Sequence, residues 1–279
     1  MNVAIIGTGL IGGSMAIALK EKKLAAKIIG VENNKLHAEE AIKLGLVDEI
    51  NELDEAISKS DLIILAVPVS DAEKMIISIL DKVDKQVVID AGSTKNAICE
   101  TANKSENRKR FVATHPMWGT EFSGPKAAVS GAFVGNAVVI CDKENSGKDA
   151  VELVEKMYRD FGMNLLYMDS ISHDVHAAYV SHISHITSFA LANTVLEKEK
   201  EEGTIFGMAS GGFESTVRLA KSNPDMWVPI FQQNRENVLD VLNEHISQLR
   251  KFKSCLEKEN YQYLTELIQN SNKIKRILK

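Results

Sequence analysis

The 279-residue chain has only three cysteines, Cys99, Cys141 and Cys255, odd in number and far apart. That spacing supplies neither a disulfide framework nor a metal-binding cysteine motif. Excess basic charge is also missing: 33 Lys and Arg stand against 38 Asp and Glu, a net charge of −5. No nucleic acid and no membrane surface is expected as a partner. No apolar run approaches the ~18 residues that cross a bilayer. The opening Met1-Asn2-Val3-Ala4 enters a strand-like run with no basic segment before it. A reduced, cytoplasmic enzyme is the expectation. There is no internal repeat, and 44% apolar content leaves ample material for a sizeable core.

Glycine is scarce in the second part of the chain. Thirteen of the 17 glycines precede residue 170. Up to that point short β-rich runs alternate with helical patterns, the signature of βαβ units and a parallel sheet. Candidate strands are Val3–Ile6, Lys27–Val31, Leu62–Val67, Gln86–Asp90, Arg110–Thr114, Ala137–Cys141 and Asn164–Met168. After Asp169 the strands stop, and residues 170–200, 226–257 and 259–277 read as long amphipathic helices around a Gly-rich break at 203–224. The fold class is therefore α/β. A Rossmann-type, mostly parallel sheet domain (1–169) precedes an all-helical domain (170–279). The run Glu197-Lys198-Glu199-Lys200-Glu201-Glu202 reads as a solvated helix end. The basic end Lys273, Lys275, Arg276, Lys279 reads as a last turn complementing the helix dipole.

Gly7-Thr8-Gly9-Leu10-Ile11-Gly12 is G-x-G-x-x-G directly after an apolar strand and at the start of a helix. Gly7 permits the turn, Gly9 lets backbone approach a pyrophosphate, and Gly12 allows close helix-to-strand packing. Free N–H groups at the helix start then hold the phosphates. Glu32 stands twenty residues beyond Gly12, where a carboxylate takes ribose hydroxyls and disfavours a 2′-phosphate. Asn33-Asn34-Lys35 follow, with no arginine, so NAD is favoured over NADP. Val67-Pro68 ends another strand at the same edge and would flank a ribose.

His115-Pro116 follows Phe111-Val112-Ala113-Thr114. Pro116 disfavours helical geometry at His115, so the imidazole is expected on an extended turn in the crevice beyond the strand ends. There it is either a base for a hydroxyl proton or a histidine capping a strand end. Ser93, in Asp90-Ala91-Gly92-Ser93-Thr94-Lys95, is an N-cap, a hydrogen-bond partner for a substrate hydroxyl, or both. At 100° per residue His173 and His176 fall opposite His182 and His185, so one helix cannot gather them around a metal, and none is expected. Ser181 and His185 share a face with Asp174 and Ala178, whereas His182 reads as a core or hinge histidine. Arg218, behind Gly211-Gly212 and before Trp227, suits a substrate carboxylate or a surface ion pair.

Together these blocks resemble the prephenate and arogenate dehydrogenase family, oxidative decarboxylases of tyrosine biosynthesis. The resemblance rests on Gly7-x-Gly9-Leu10-Ile11-Gly12-Gly13-Ser14, Gly92-Ser93-Thr94-Lys95, His115-Pro116-Met117-x-Gly119-Thr120-Glu121, Ser181-His182-x-x-His185 and Gly212-Phe213…Arg218…Met226-Trp227. It implies NAD-dependent oxidation of prephenate and a helical domain that pairs into a homodimer. It further implies His115 as the base, Ser93 beside it, and Arg218 on a substrate carboxylate. Glu121 would stand in an ionic network around Arg218, Thr120 at the substrate, and Ser181 and His185 along the pocket. Three residues depart from the family pattern. Trp118 replaces Ala and would narrow the pocket or move a neighbour. Ser184 replaces a proline, and Ser215 replaces an aspartate, with Glu214 as a possible substitute. Neither the regulatory domain nor the fused mutase of some relatives is expected in this chain. Arogenate is the rival substrate. A β-hydroxyacid dehydrogenase is disfavoured because residues 170–196 hold no lysine. A non-catalytic NAD-sensing regulator would need no base.

Overall fold

All seven β-rich runs become strands in the computed structural model, which describes residues 1–277; Lys279 of the basic end lies outside them. The first half of the sheet domain is β1 (Asn2–Ile6), α1 (Leu10–Glu21), β2 (Lys27–Val31), α2 (Lys35–Lys43), β3 (Glu49–Ile50) and α3 (Leu53–Lys59). The second half is β4 (Leu62–Leu65), α4 (Val69–Leu80), β5 (Val87–Asp90), α5 (Asn96–Ala102), β6 (Phe111–Pro116), β7 (Ala137–Cys141), α6 (Lys148–Asp160) and β8 (Asn164–Met168). The two-residue β3 has too short an apolar pattern to register in sequence.

Among the described residues the strands form one eight-stranded sheet, ordered β3-β2-β1-β4-β5-β6-β7-β8. The pairings are parallel except β6 with β7. Such strands are apolar on both sides because helices cover both faces. Alternate residues accordingly enter two cores. Val3, Ile5, Ile64 and Ile89 pack with Met15, Leu19 and Tyr158 on one face. Ala4, Ile6, Leu65 and Val88 pack with Ile57, Ile76 and Ile98 on the other. The chain leaves β1 in one direction across the sheet and enters β4 in the other, so the switch point of the doubly wound fold lies between these two strands. Register aligns Ile6 with Leu65 and Leu65 with Asp90, which brings Gly7, Ala66 and Ala91 to one edge.

After β8 the chain is helical: α7 (Ser170–Ala177), α8 (Ile183–Glu202), α9 (Gly211–Val217), α10 (Pro224–Gln233), α11 (Arg235–Glu257) and α12 (Tyr261–Ser271). Two expected long helices are broken. A π-helical turn, Ala178–His182, divides 170–200, and Asn234 ends α10 before α11 begins. Met1–Asn234 form one compact unit and residues from Arg235 onward a second, so α7 to α10 belong to the unit that carries the sheet.

Candidate active site

The Gly-rich turn opens onto a cleft of about 430 Å³ at the switch point, whose walls include Gly7, Gly9, Leu10, Ile11, Glu32, Val67, Pro68, Ser93 and Glu121. Gly7 has φ +91°, and a Cβ there would lie 2.6 Å from the Ala66 carbonyl oxygen. Above Gly9 the nearest atom to such a Cβ would be Gly124 N at 4.0 Å, which leaves room for a phosphate. Glu32 Oε2 accepts from the N–H and hydroxyl of Thr8, each at 3.0 Å, and Oε1 accepts from Asn34 N–H at 3.1 Å. The carboxylate is thus fixed beside the loop it would serve, and these residues fit a dinucleotide. Asn34, His37, Phe122 and Gly124 also line the cleft, although nothing in the motif spacing marks them.

His115 differs from the expectation in backbone. It lies inside β6, opposite Val139 of β7, because the strand continues through Pro116. The proline lacks an N–H, and pairing resumes with Met117 N–H donating to the Ala137 carbonyl at 2.8 Å. The ring is buried, with Nδ1 2.8 Å from His173 Nε2. His173 Nδ1 lies 2.8 Å from Asp174 Oδ1. Asp174 also accepts the backbone N–H groups of Lys95 (2.7 Å) and Asn96 (3.0 Å). The start of α5 is thereby satisfied by a carboxylate from α7. Ser93 is not the N-cap, since Lys95 holds that position, and the serine lines the cleft instead. Burial, then His173, Lys95 and His182, hold the His115 pKa well below its ordinary value. Lys95 itself is fully buried, paired with Asp90 and donating to the Thr114 carbonyl at 2.9 Å.

On the helical side, His182 contacts Asn234 Nδ2 through Nδ1 at 3.1 Å, and the same amide donates to the Asp174 carbonyl at 2.7 Å. Asn234 therefore links His182 to the backbone of Asp174, next to His173, although a regular helix would set the two histidines opposite. A π-helical turn, Ala178–His182, lies on the path between them and turns the chain through less angle per residue than an α-helix. His182 is buried and its pKa is pushed down to about 4. His185 Nδ1 donates to the Ser181 carbonyl at 3.1 Å, and the ring stacks on Trp227 at 3.4 Å between centroids; burial lowers its pKa to about 4. Met226 and Ile230, from the same helix as Trp227, line the cleft. Arg218 Nη1 donates to Glu121 Oε2 at 2.8 Å. Glu121 rather than Glu214 is therefore the carboxylate on this arginine. Hydrogen bonding at its own backbone, then Arg218, keeps Glu121 below the usual carboxylate range.

Of the substrate-side residues named from sequence, Ser93 and Glu121 line the cleft, and Arg218 reaches it through Glu121. His115, Thr120, Ser181 and His185 are not among the residues that line it. Thr120 Oγ1 accepts from Phe122 N–H at 3.3 Å. Trp118 does not narrow the cleft, because its ring packs edge-on against Phe133 at 5.7 Å, on the core. Ser215 donates to the Gly212 carbonyl, and Ser184 is exposed. Among the described residues no three His, Cys, Asp or Glu side chains converge into a metal-binding group. His173 and Asp174 are the pair that sequence reasoning missed in this role. Their adjacency in sequence at the start of a helix was the available signal.

A family model described as the prephenate dehydrogenase nucleotide-binding domain matches residues 15–167, and one described as its dimerization domain matches residues 169–270. The chain is 29% identical over 267 residues to prephenate dehydrogenase of Bacillus subtilis, covering 94% of this chain and 72% of that protein. It is 28% identical to cyclohexadienyl dehydrogenase of Zymomonas mobilis, covering 100% of this chain and 96% of that one. A crystal structure of prephenate dehydrogenase from A. aeolicus, in complex with hydroxyphenyl propionate and NAD+, superposes with a TM-score of 0.89 at 31% identity, covering 99% and 97% of the two chains.

Proposed function

This chain belongs to the prephenate dehydrogenase family, and we propose that it oxidatively decarboxylates prephenate to 4-hydroxyphenylpyruvate. It is an NAD-dependent oxidoreductase. One observation supports the substrate reading above the others. A single cleft joins the Gly7–Gly12 turn and Glu32 to Ser93 and to the Glu121 that holds Arg218.

In this reading Gly7, Gly9, Leu10, Ile11 and Gly12 hold the pyrophosphate, Glu32 the ribose, and Val67 and Pro68 flank the nucleotide. NAD, when bound, accepts the hydride from the ring carbon that bears the hydroxyl. His115 takes the hydroxyl proton, and Ser93 orients that hydroxyl by a hydrogen bond. Arg218 binds a substrate carboxylate, with Glu121 and Thr120 setting its surroundings and Ser181 and His185 backing the pocket. The oxidised ring then releases CO2, and the electron pair of the broken C–C bond makes the ring aromatic. Aromatisation drives this step, so orientation is the protein's main contribution.

We assign residues 1–169 to cofactor binding and 170–279 to substrate binding and dimerisation. The chain carries the family's dimerization domain, and a cytoplasmic homodimer is proposed. NADH formation from prephenate and from arogenate, followed spectrophotometrically, tests the substrate. A kcat/KM higher for arogenate would reverse the assignment. Light scattering of an active monomer at micromolar concentration would refute the dimer.

A further inference from the structure

We propose that Asp174 and His173 act in series as positioning residues that fix the tautomer of His115, leaving its Nε2 as the proton acceptor. The inference rests on the reading of His115 as the base, and it deepens that reading. Three side chains form one line of hydrogen bonds: Asp174 Oδ1 to His173 Nδ1 at 2.8 Å, and His173 Nε2 to His115 Nδ1 at 2.8 Å. All three are buried, His115 at 8% exposure and the other two less.

The direction of the line follows from its end. An ionised carboxylate accepts and cannot donate. Asp174 is held in that role by the two backbone N–H groups of Lys95 and Asn96 that it already accepts. His173 must therefore carry its proton on Nδ1. A neutral imidazole has one N–H, so His173 Nε2 is then an acceptor. The facing His115 Nδ1 must donate to it. His115 consequently carries its own proton on Nδ1, and the lone pair sits on Nε2.

Without the line the two tautomers of a neutral imidazole compete, and one of them has no lone pair on Nε2. The line has a second consequence during turnover. When Nε2 of His115 takes a substrate proton, the Nδ1 proton of His115 can shift to Nε2 of His173. His115 then returns to neutral, and His173 holds both ring protons beside the Asp174 carboxylate. One proton enters the line, one moves within it, and none is lost. Burial disfavours a charged ring at His115, where Lys95 and His182 oppose it too, and the shift moves that charge next to an anion.

Two measurements test this. Histidine-selective ¹⁵N NMR of the whole protein, with resonances assigned through His115→Asn and His173→Gln, should show both rings protonated on Nδ1 and bare on Nε2. A His115 ring protonated on Nε2 would overturn the proposal, whatever any variant does. In parallel, Asp174→Asn removes the acceptor-only end. By analogy with an aspartate holding a catalytic histidine in a hydrolase triad, kcat should fall by ~10² to 10⁴-fold. KM for prephenate and Kd for NAD should stay within about threefold, a split that general loosening would not give. An Asp174→Asn enzyme with near-normal kcat, alongside an inert His115→Asn enzyme, would sink the relay and leave the base assignment standing. An active His115→Asn enzyme would remove both.

Discussion

His115 is 8% exposed and is held through a buried hydrogen-bonded line, whereas the Arg218 side chain is 49% exposed and is held by one ion pair to Glu121. In the proposed function both act on the same substrate, one from a strand of the sheet and the other from the end of a seven-residue helix. The contrast follows what each end is asked to do. Proton transfer depends on a nitrogen within hydrogen-bond reach and in the right tautomer, so its support is rigid and dry. Recognition of a carboxylate by a guanidinium works over a wider range of positions. An ion pair open to solvent, such as Arg218–Glu121, is weak, so a substrate carboxylate can share or displace it at little cost.

The largest effect is expected at the rigid end. His115→Asn should lower kcat by ~10² to 10⁴-fold while Kd for NAD changes less than about threefold. Wild-type kcat/KM should hold level as pH falls to about 6.5 and decline only below it, because the folded His115 pKa lies well under its ordinary value and the neutral ring is the active form. The stability sign agrees. The unfolded chain takes up this proton first, so thermal stability should begin to fall below about pH 6.5 and continue down to the folded pKa. A kcat within threefold of wild type in His115→Asn would break the comparison at its strong end.

Arg218→Ala should come next. Losing a hydrogen bond to a charged group costs about 1.5–3 kcal/mol, which is roughly ten- to over a hundredfold in KM for prephenate, with kcat nearly kept. Glu121→Gln should raise the same KM by less than about fivefold, given the small worth of an exposed pair. If both variants left KM unchanged, the carboxylate would be held elsewhere and prephenate itself would be in question.

The two ends were also unequally legible in sequence. The Gly7–Gly12 turn, Glu32 and the strands around them follow from local rules: apolar runs need cover on both faces, and a tight turn needs glycine. Arg218 could be given a role only through the family resemblance, since a charged side chain after a Gly-rich break suits a surface ion pair as well as a substrate carboxylate. The line behind His115 could not be read in the same way. It joins His115 in β6 to His173 in α7 across 58 positions, and no local spacing rule pairs residues so far apart. Lys95 and Asp174 are a similar case, since their pairing joins α5 to α7 across 79 positions. Trp118 was placed by size alone, and the Phe133 ring that receives it is fifteen residues away and carries no local signal.

A smaller effect is expected at the cofactor. Glu32 is anchored by Thr8 and Asn34, which sets its charge beside the Gly-rich turn. NAD should exceed NADP in kcat/KM by about tenfold or more, since facing like charges costs several kcal/mol. Glu32→Gln should narrow that ratio chiefly by improving NADP. Equal use of both cofactors by the unaltered protein would mean the carboxylate does not face the ribose.

The smallest effect probes the tolerance of the exposed end. Ser215 stands three residues before Arg218, at the place where the resembled family carries an aspartate, and its hydroxyl now donates to the Gly212 carbonyl at 3.0 Å. Ser215→Asp would set a second carboxylate on the arginine in competition with Glu121. Pairs three residues apart on an exposed helix are worth ~0.2–0.5 kcal/mol, which is at most about twofold in KM. The direction should be a modest fall in KM for prephenate, because a better-ordered guanidinium loses less freedom when it binds, and kcat should not move. A tenfold change in kcat would mean that the position of Arg218 is coupled to the chemical step. The exposed end would then be as exacting as the buried one, and the contrast between them would have to be given up.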